Sequence, residues 1–162
     1  MPETIKAIPN GYHSVNAYLV AKDAAKAILF YQQAFGAVEK SRFEFPDGRI
    51  LFAELQIGDA TLQIADEFPE REVTVLSPQS LKGTCCVIHL YVEDADFVFS
   101  AAINAGATAK RNIENTFWGD RYGQVEDPYG HIWSIATRVE NIKPEELKTR
   151  VAALIAKSLG QS

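Results

Sequence analysis

The chain is predicted to be an α+β protein of two tandem βαβββ modules, forming a curved, cup-like mixed sheet covered by helices, plus a C-terminal helix. Three observations carry this. First, a strand, an aspartate and a helix closed by glycine-alanine occur twice: Asn16-Ala17-Tyr18-Leu19-Val20, Asp23 and Phe35-Gly36-Ala37, then Ile88-His89-Leu90-Tyr91-Val92, Asp94 and Ala105-Gly106-Ala107. Second, the hairpin from Ile50 to Asp66 has a partner in the stretch from Phe117 to Thr137, with Gln63-Ile64-Ala65-Asp66 falling on Ser134-Ile135-Ala136-Thr137. Internal duplication of this kind outranks local patterning as a fold signal. Third, Leu147, Val151, Leu154 and Ile155 recur at helical spacing after Pro144, beyond both modules.

At 162 residues the chain is long enough to bury roughly 70% of its unfolded surface in one core. The modules are placed at about 12–67 and 84–139, joined by a connector over 68–83, in one domain spanning 12–139. Residues 140–162 form a helical extension. A net charge of -5 and a pI near 5.2 exclude a nucleic-acid binder, which needs a basic face. The start lacks an apolar leader and no run is long enough to span a bilayer, so no membrane partner and a cytoplasmic location are expected.

Each element has its own reason. Asn16, Tyr18 and Val20 share one face of the first strand and Ala17 and Leu19 the other, because strand side chains alternate. Asp23 is an N-cap, and Ala24, Ala27, Ile28, Tyr31 and Ala34 recur at helical spacing until Gly36 ends the helix. Val38 to Phe45 reads as a strand with one wet side, near a sheet edge. Pro46-Asp47-Gly48-Arg49 and Gly58-Asp59 are the turns that bound the next strand. The connector has no clean periodicity and reads as a spacer or a lid. In the second module Cys85, Val87, His89 and Tyr91 fall on one strand face, Cys86, Ile88, Leu90 and Val92 on the other. A helix follows from about Asp96 to Ala105, and Trp118-Gly119-Asp120 and Pro128-Tyr129-Gly130 bracket a strand before the last one, His131 to Thr137. The stripe of the final helix must be buried, with a second subunit as its cover. A homodimer is therefore expected.

The paired βαβββ modules, the repeated strand-Asp-helix-Gly-Ala signature and Asp127-Pro128-Tyr129-Gly130 ahead of Trp133 resemble the vicinal oxygen chelate superfamily. That superfamily includes glyoxalase I, extradiol dioxygenases and bleomycin-resistance binding proteins, and Thr116-Phe117-Trp118 is similar to its glyoxalase/bleomycin resistance branch. The resemblance implies four cup-facing metal positions, which fall here on Asn16, Gln63, Val87 and Ser134. None is His, Asp or Glu, whereas a transition metal wants at least three imidazole, thiolate or carboxylate ligands. No metal and no cofactor are therefore expected, unless a two-residue slip brings His89 into the Val87 place. The expected function is binding of a small, partly aromatic molecule in the cup, lined by Asn16, Tyr18, Gln63, His89, Tyr91, Trp118, Tyr122 and Ser134. The alternative is a metal-dependent lyase of the glyoxalase I type or a dioxygenase.

Other residues carry plainer expectations. Tyr18 and Tyr91 are taken as equivalent positions of the two modules. Cys85 and Cys86 read as reduced, buried and inert thiols, a redox pair being the other reading. His89 is either a satisfied, partly buried histidine or a pocket base. His131 is structural, Trp133 belongs to the core, and Asp120-Arg121 reads as a solvated ion pair. Glu54 and Glu126 need partners that the sequence does not name.

Overall fold

Asp23 and Asp94 do in space what their spacing predicts: each side chain accepts a hydrogen bond from the third residue of its helix, at 3.0 Å from Lys26 N and 3.0 Å from Phe97 N. This was seen in a computed structural model, which describes residues 5–72 and 74–160. The first four residues, one position of the connector, and residues 161 and 162 of the expected extension lie outside it.

Module one runs β1 (Ala17–Ala21), α1 (Ala24–Phe35), β2 (Val38–Glu44), β3 (Ile50–Ile57) and β4 (Ala60–Asp66). After a four-residue helix α2 (Pro78–Leu81) that the sequence did not announce, module two repeats the order. It comprises β5 (Val87–Tyr91), α3 (Ala95–Asn104), β6 (Thr108–Asn115), β7 (Asp120–Glu126) and β8 (Ile132–Arg138). Helix α4 (Pro144–Leu159) closes the described chain. The strands form two four-stranded mixed sheets, ordered β1-β4-β3-β2 and β5-β8-β7-β6. As predicted, β2 is an edge strand.

Register fixes how the modules correspond. Tyr18 lies beside Gln63 and His89 beside Ser134, each in a parallel pair. Asp66 receives the backbone N–H of Ala24, and Thr137 receives that of Ala95, so Asp66 and Thr137 are counterparts. The counterpart of Tyr18 is therefore His89, and Tyr91 matches Val20. The expected Tyr18–Tyr91 equivalence is out by two residues, a shift that keeps the face but changes the rung.

One apolar core serves both modules. Helix α1 buries Ala24, Ala27, Ile28, Phe30, Tyr31 and Ala34, and α3 packs beside it. Burial of a large side chain such as Ile28, Leu55 or Ile135 contributes about 1.5–3 kcal/mol. The Asp127 turn joins the modules: Oδ2 of Asp127 accepts from Tyr31 Oη on α1 at 2.7 Å and from Trp133 Nε1 at 3.0 Å. Its Oδ1 accepts the backbone N–H groups of Tyr129 and His131. His131 is buried, with Nε2 3.0 Å from the carbonyl of Val20, and Trp133 packs 4.6 Å from the Phe35 ring. Both residues are structural, as expected. Gly130 has φ 90°, and a Cβ there would come within 2.9 Å of Pro78, so glycine is required at this reversal.

One expectation fails. Strand β5 begins at Val87, and Cys85 sits in a bend ahead of it, so both cysteines are exposed instead of buried on opposite strand faces. The apolar stripe of α4 is uncovered within the chain: the helix has no buried residue, and Ile155 is 53% exposed. The helix starts at Pro144 with Glu145 and Glu146 in its first turn, where negative charge suits the helix dipole. Among the described residues no helix is long and apolar enough to cross a membrane.

Candidate functional site

Cross-strand pairing in module two assembles a face from two rungs. One rung reads His89, Ser134, Gln124 and Arg111 across β5-β8-β7-β6, and the next reads Tyr91, Ala136, Tyr122 and Glu114. Along β5, β8 and β7 the two rungs are two residues apart, so those side chains project together, while on β6 a register irregularity sets Arg111 and Glu114 three residues apart. Ala136 is small, which leaves room between Tyr91 and Tyr122.

The rings form a connected set. His89 meets Tyr91 edge-on at 4.5 Å and lies nearly parallel to Tyr122, 22° apart at 6.1 Å. Trp118, on the turn before β7, meets Tyr122 edge-on at 5.3 Å. The Arg111 guanidinium stands 5.3 Å from the Tyr122 ring and 5.8 Å from Trp118, while Glu114 holds it by a 2.9 Å hydrogen bond. Gln124 Nε2 donates to Tyr122 Oη at 2.8 Å.

Polar atoms beneath the rings set their angles. Ser134 is buried, and its Oγ lies 2.6 Å from His89 Nδ1, leaving Nε2 without a hydrogen bond to the described residues. Asp120 is 1% exposed, and its Oδ2 accepts from both Tyr91 Oη at 2.9 Å and Trp118 Nε1 at 3.0 Å. Arg138 Nε approaches Oδ1 to 2.6 Å as an ion pair, off the line of a hydrogen bond. The Tyr91 hydroxyl, then the Asp120 charge, raise the pKa of the Arg138 guanidinium. Asp120 is thus a buried acceptor shared by two rings, which overturns its reading as half of a solvated Asp120-Arg121 pair. Arg121 pairs instead with Asp96 at 2.7 Å. The sequence signal was Thr116, whose hydroxyl and N–H clamp Asp120 in its turn.

The eight predicted residues divide between the sheets. His89, Tyr91, Trp118, Tyr122 and Ser134 come together in module two. Tyr18 and Gln63 are neighbours in module one, where Gln63 donates to Tyr12 Oη at 3.1 Å and Tyr12 donates in turn to Glu54. Burial, then that carboxylate, raise the Tyr12 pKa. Glu54 thereby has its partner, and Glu126 has Lys110 at 2.9 Å. The Asn16 amide is occupied by the backbone of His13, but Asn16 and His89 both line a crevice of about 130 Å³ between the modules.

The metal positions implied by resemblance can be tested on chemistry. Asn16, just ahead of β1, and Gln63 on β4 are already hydrogen-bonded; the Val87 side chain has no donor atom, and Ser134 is engaged with His89. His89 stands beside Ser134, with its Nδ1 engaged by that hydroxyl, while Val87 pairs with Ile132. Among the described residues no three His, Cys, Asp or Glu side chains converge to hold a metal ion. These residues do not fit a divalent transition metal.

Comparison with known proteins bears on family and fold. A sequence profile described as Glyoxalase/Bleomycin resistance protein/Dioxygenase superfamily matches residues 12–135. An uncharacterized protein of Mycobacterium bovis is 41% identical over 141 residues, covering 86% of this chain and 93% of its own. Among solved structures, a Pseudomonas aeruginosa protein superposes with a TM-score of 0.63 at 21% identity, over 79% of this chain and 99% of its own. TioX from Micromonospora superposes with a TM-score of 0.60 at 23% identity, over 78% and 100%. At those identities the likeness to the two structures is one of fold.

Proposed function

Because this chain belongs to the Glyoxalase/Bleomycin resistance protein/Dioxygenase superfamily, we propose that it binds a small, partly aromatic molecule on the module-two face, without a metal. The observation that supports this most is the two-rung cluster of His89, Tyr91 and Tyr122 with Trp118 at its end. Flat apolar surfaces with polar tips suit a planar ligand, and each well-placed ring–ring contact contributes about 0.5–1.5 kcal/mol beyond area burial. His89 Nε2 supplies a hydrogen bond to a polar substituent. Arg111 stacks over the outer ring surface. Fold alone does not assign an activity, and no nucleophile or base is named.

The protein acts as a homodimer in this reading. Pairing of α4 with its copy about a two-fold axis covers Leu147, Val151 and Ile155, which line one face of the helix.

The test is a thermal-shift screen of aromatic metabolites and antibiotics, followed by titration of the best hit into W118A and Y122A. A specific ligand raises the melting temperature by mass action. Both substitutions are expected to weaken binding by about 10-fold or more, following the cost of removing an aromatic anchor. A library that shifts nothing, or a hit indifferent to both substitutions, contradicts the proposal. Near-stoichiometric nickel, zinc, iron or manganese in protein purified without chelators would favour a metal-dependent lyase or dioxygenase.

A further inference from the structure

We propose that Lys82 and Lys110 form an anion site for the phosphate of a small phosphomonoester. The site lies at the end of the module-two sheet opposite Trp118 and Arg138, and it does not rest on the aromatic face.

A cavity of about 500 Å³ opens there between the α2–β5 link, the edge strand β6 and the β7–β8 turn. Each lysine reaches it through a departure from regular backbone. Lys82 caps α2 in the left-handed region at φ 58°, the only residue other than glycine with positive φ among those described. Glycine is the ordinary occupant of such a cap, because a Cβ is crowded there. Lys110 is the extra residue of a β-bulge: Ala109 and Arg111 stand beside the consecutive residues Val125 and Gln124, which leaves Lys110 without a rung partner. Bulges at sheet edges re-aim side chains. Here the bulge lets two neighbours serve one face, Arg111 stacking on Tyr122 while Lys110 pairs with Glu126 at 2.9 Å.

Charge decides what the cavity accepts. Asp127 lines it, but its oxygens are engaged inward by Tyr31, Trp133 and the N–H groups of Tyr129 and His131. Glu126 is matched by Lys110, and Lys82 makes no ion pair among the described residues. One cation is therefore uncommitted. An ammonium is a compact charge with three rotatable donors, which suits a tetrahedral oxyanion, whereas a flat carboxylate is matched better by the arginine fork. The ligand must also win Lys110 from Glu126, and a monoanion would only repeat the charge already there. A phosphomonoester brings about −1.5 to −2 at pH 7 and three acceptor oxygens, enough to engage both lysines together.

The volume leaves room for an organic part beyond the phosphate, within the roughly 300–1,000 Å³ of small-molecule sites. Pro78 and Ile132 give that part an apolar wall, and Thr84 offers a hydroxyl. The strained cap fits the same reading. Backbone strain persists at sites where a side chain is needed, and a glycine at position 82 would relieve it but carry no charge.

The experiment measures binding of glycerol phosphate to the full chain by equilibrium dialysis in phosphate-free buffer, with glycerol and glycerol sulfate as controls. The probe has no ring, so its binding does not report on the aromatic face. Saturable binding of one equivalent is expected for the phosphate, about 10-fold weaker binding for the singly charged sulfate, and none for glycerol. K82A and K110A are each expected to weaken phosphate binding about 10-fold, the effect of losing one charged hydrogen bond. E126Q frees Lys110 and is expected to tighten binding by up to about 5-fold. K82G is expected to lose binding as K82A does while its melting temperature stays level or rises, which separates lost binding from lost fold. Absence of phosphate binding, equal affinity for the sulfate, or parental affinity in K82G overturns the proposal. Weaker binding by E126Q overturns the part assigned to Lys110, and a lower melting temperature for K82G overturns the reading of strain at the cap.

Discussion

Asp120 illustrates how one atom can set the posture of a whole face. Its Oδ2 takes hydrogen bonds from Tyr91 and Trp118, side chains on different elements, so both rings are aimed by a single buried oxygen. Asp120→Ala leaves two donors without that acceptor and is expected to cost about 1–3 kcal/mol, read from urea unfolding. The estimate stays modest because Arg138 is half exposed and regains water when its partner is lost. Trp118 emission should also move to the red as the indole loses its anchor; unchanged emission and stability would show that Asp120 does not position it. Tyr91→Phe removes one donor only and should be milder. From the sequence, Asp120 was one of many turn aspartates, because a turn motif does not reveal what packs over it.

At the scale of elements, each module fastens the start of its helix to its own sheet, but with different chemistry. Asp66 is 6% exposed and receives Ala24 N–H at 2.8 Å and Ile50 N–H at 2.6 Å, binding α1 to β3 and β4. Thr137 receives Ala95 N–H at 2.8 Å and passes its own proton to the carbonyl of Val92. Removing Asp66 leaves two buried amide donors, each costing about 1–3 kcal/mol, whereas removing Thr137 leaves one donor and one carbonyl nearer solvent. Asp66→Ala is therefore expected to destabilise more than Thr137→Ala in parallel denaturant titrations, and the reverse order would contradict this account. The N-cap of α1 adds a pH dependence. The Lys26 side chain, then its backbone N–H, hold Asp23 below its ordinary pKa of 3.8 against the opposing effect of burial. A carboxyl depressed in the folded state contributes stability above its ordinary value and loses it as pH falls through the folded value. Asp23→Asn keeps a capping side chain but removes the titration, so its acid unfolding limb should be flatter than that of the parent.

For the whole molecule, what remains open to solvent matters as much as the core. Tyr18, Val87 and Tyr91 on the sheets and Leu154 and Ile155 on α4 are all exposed in the single chain. Helix α4 is fixed to module two through Arg150, which pairs with Glu140 and Glu146 and donates to the carbonyl of Phe117 at 3.2 Å. It is therefore a presented surface and not a frayed tail. Deleting residues 144–162 should convert a dimer to a monomer in sedimentation equilibrium, and Val151→Asp should weaken association without altering helix content. A monomeric mass for the intact chain would remove the dimer from the proposal.

Duplication, α+β class, both N-caps, the glycine stops and the edge position of β2 were legible in the sequence. They depend on local propensity and on a repeat that compares the chain with itself. The same reading put His89, Tyr91, Tyr122 and Ser134 on a common face, because alternation along a strand fixes facing before any partner is known. It missed by two residues the match of Tyr18 to His89, since period-two patterning is blind to an even shift. It also missed the buried Asp120, the exposed Cys85–Cys86 pair and the division of the eight site residues between two sheets. Those were decided only in three dimensions, where burial and hydrogen-bond partners come from residues far along the chain. A linear pattern says which side a residue faces; tertiary packing decides whether anything stands there to meet it.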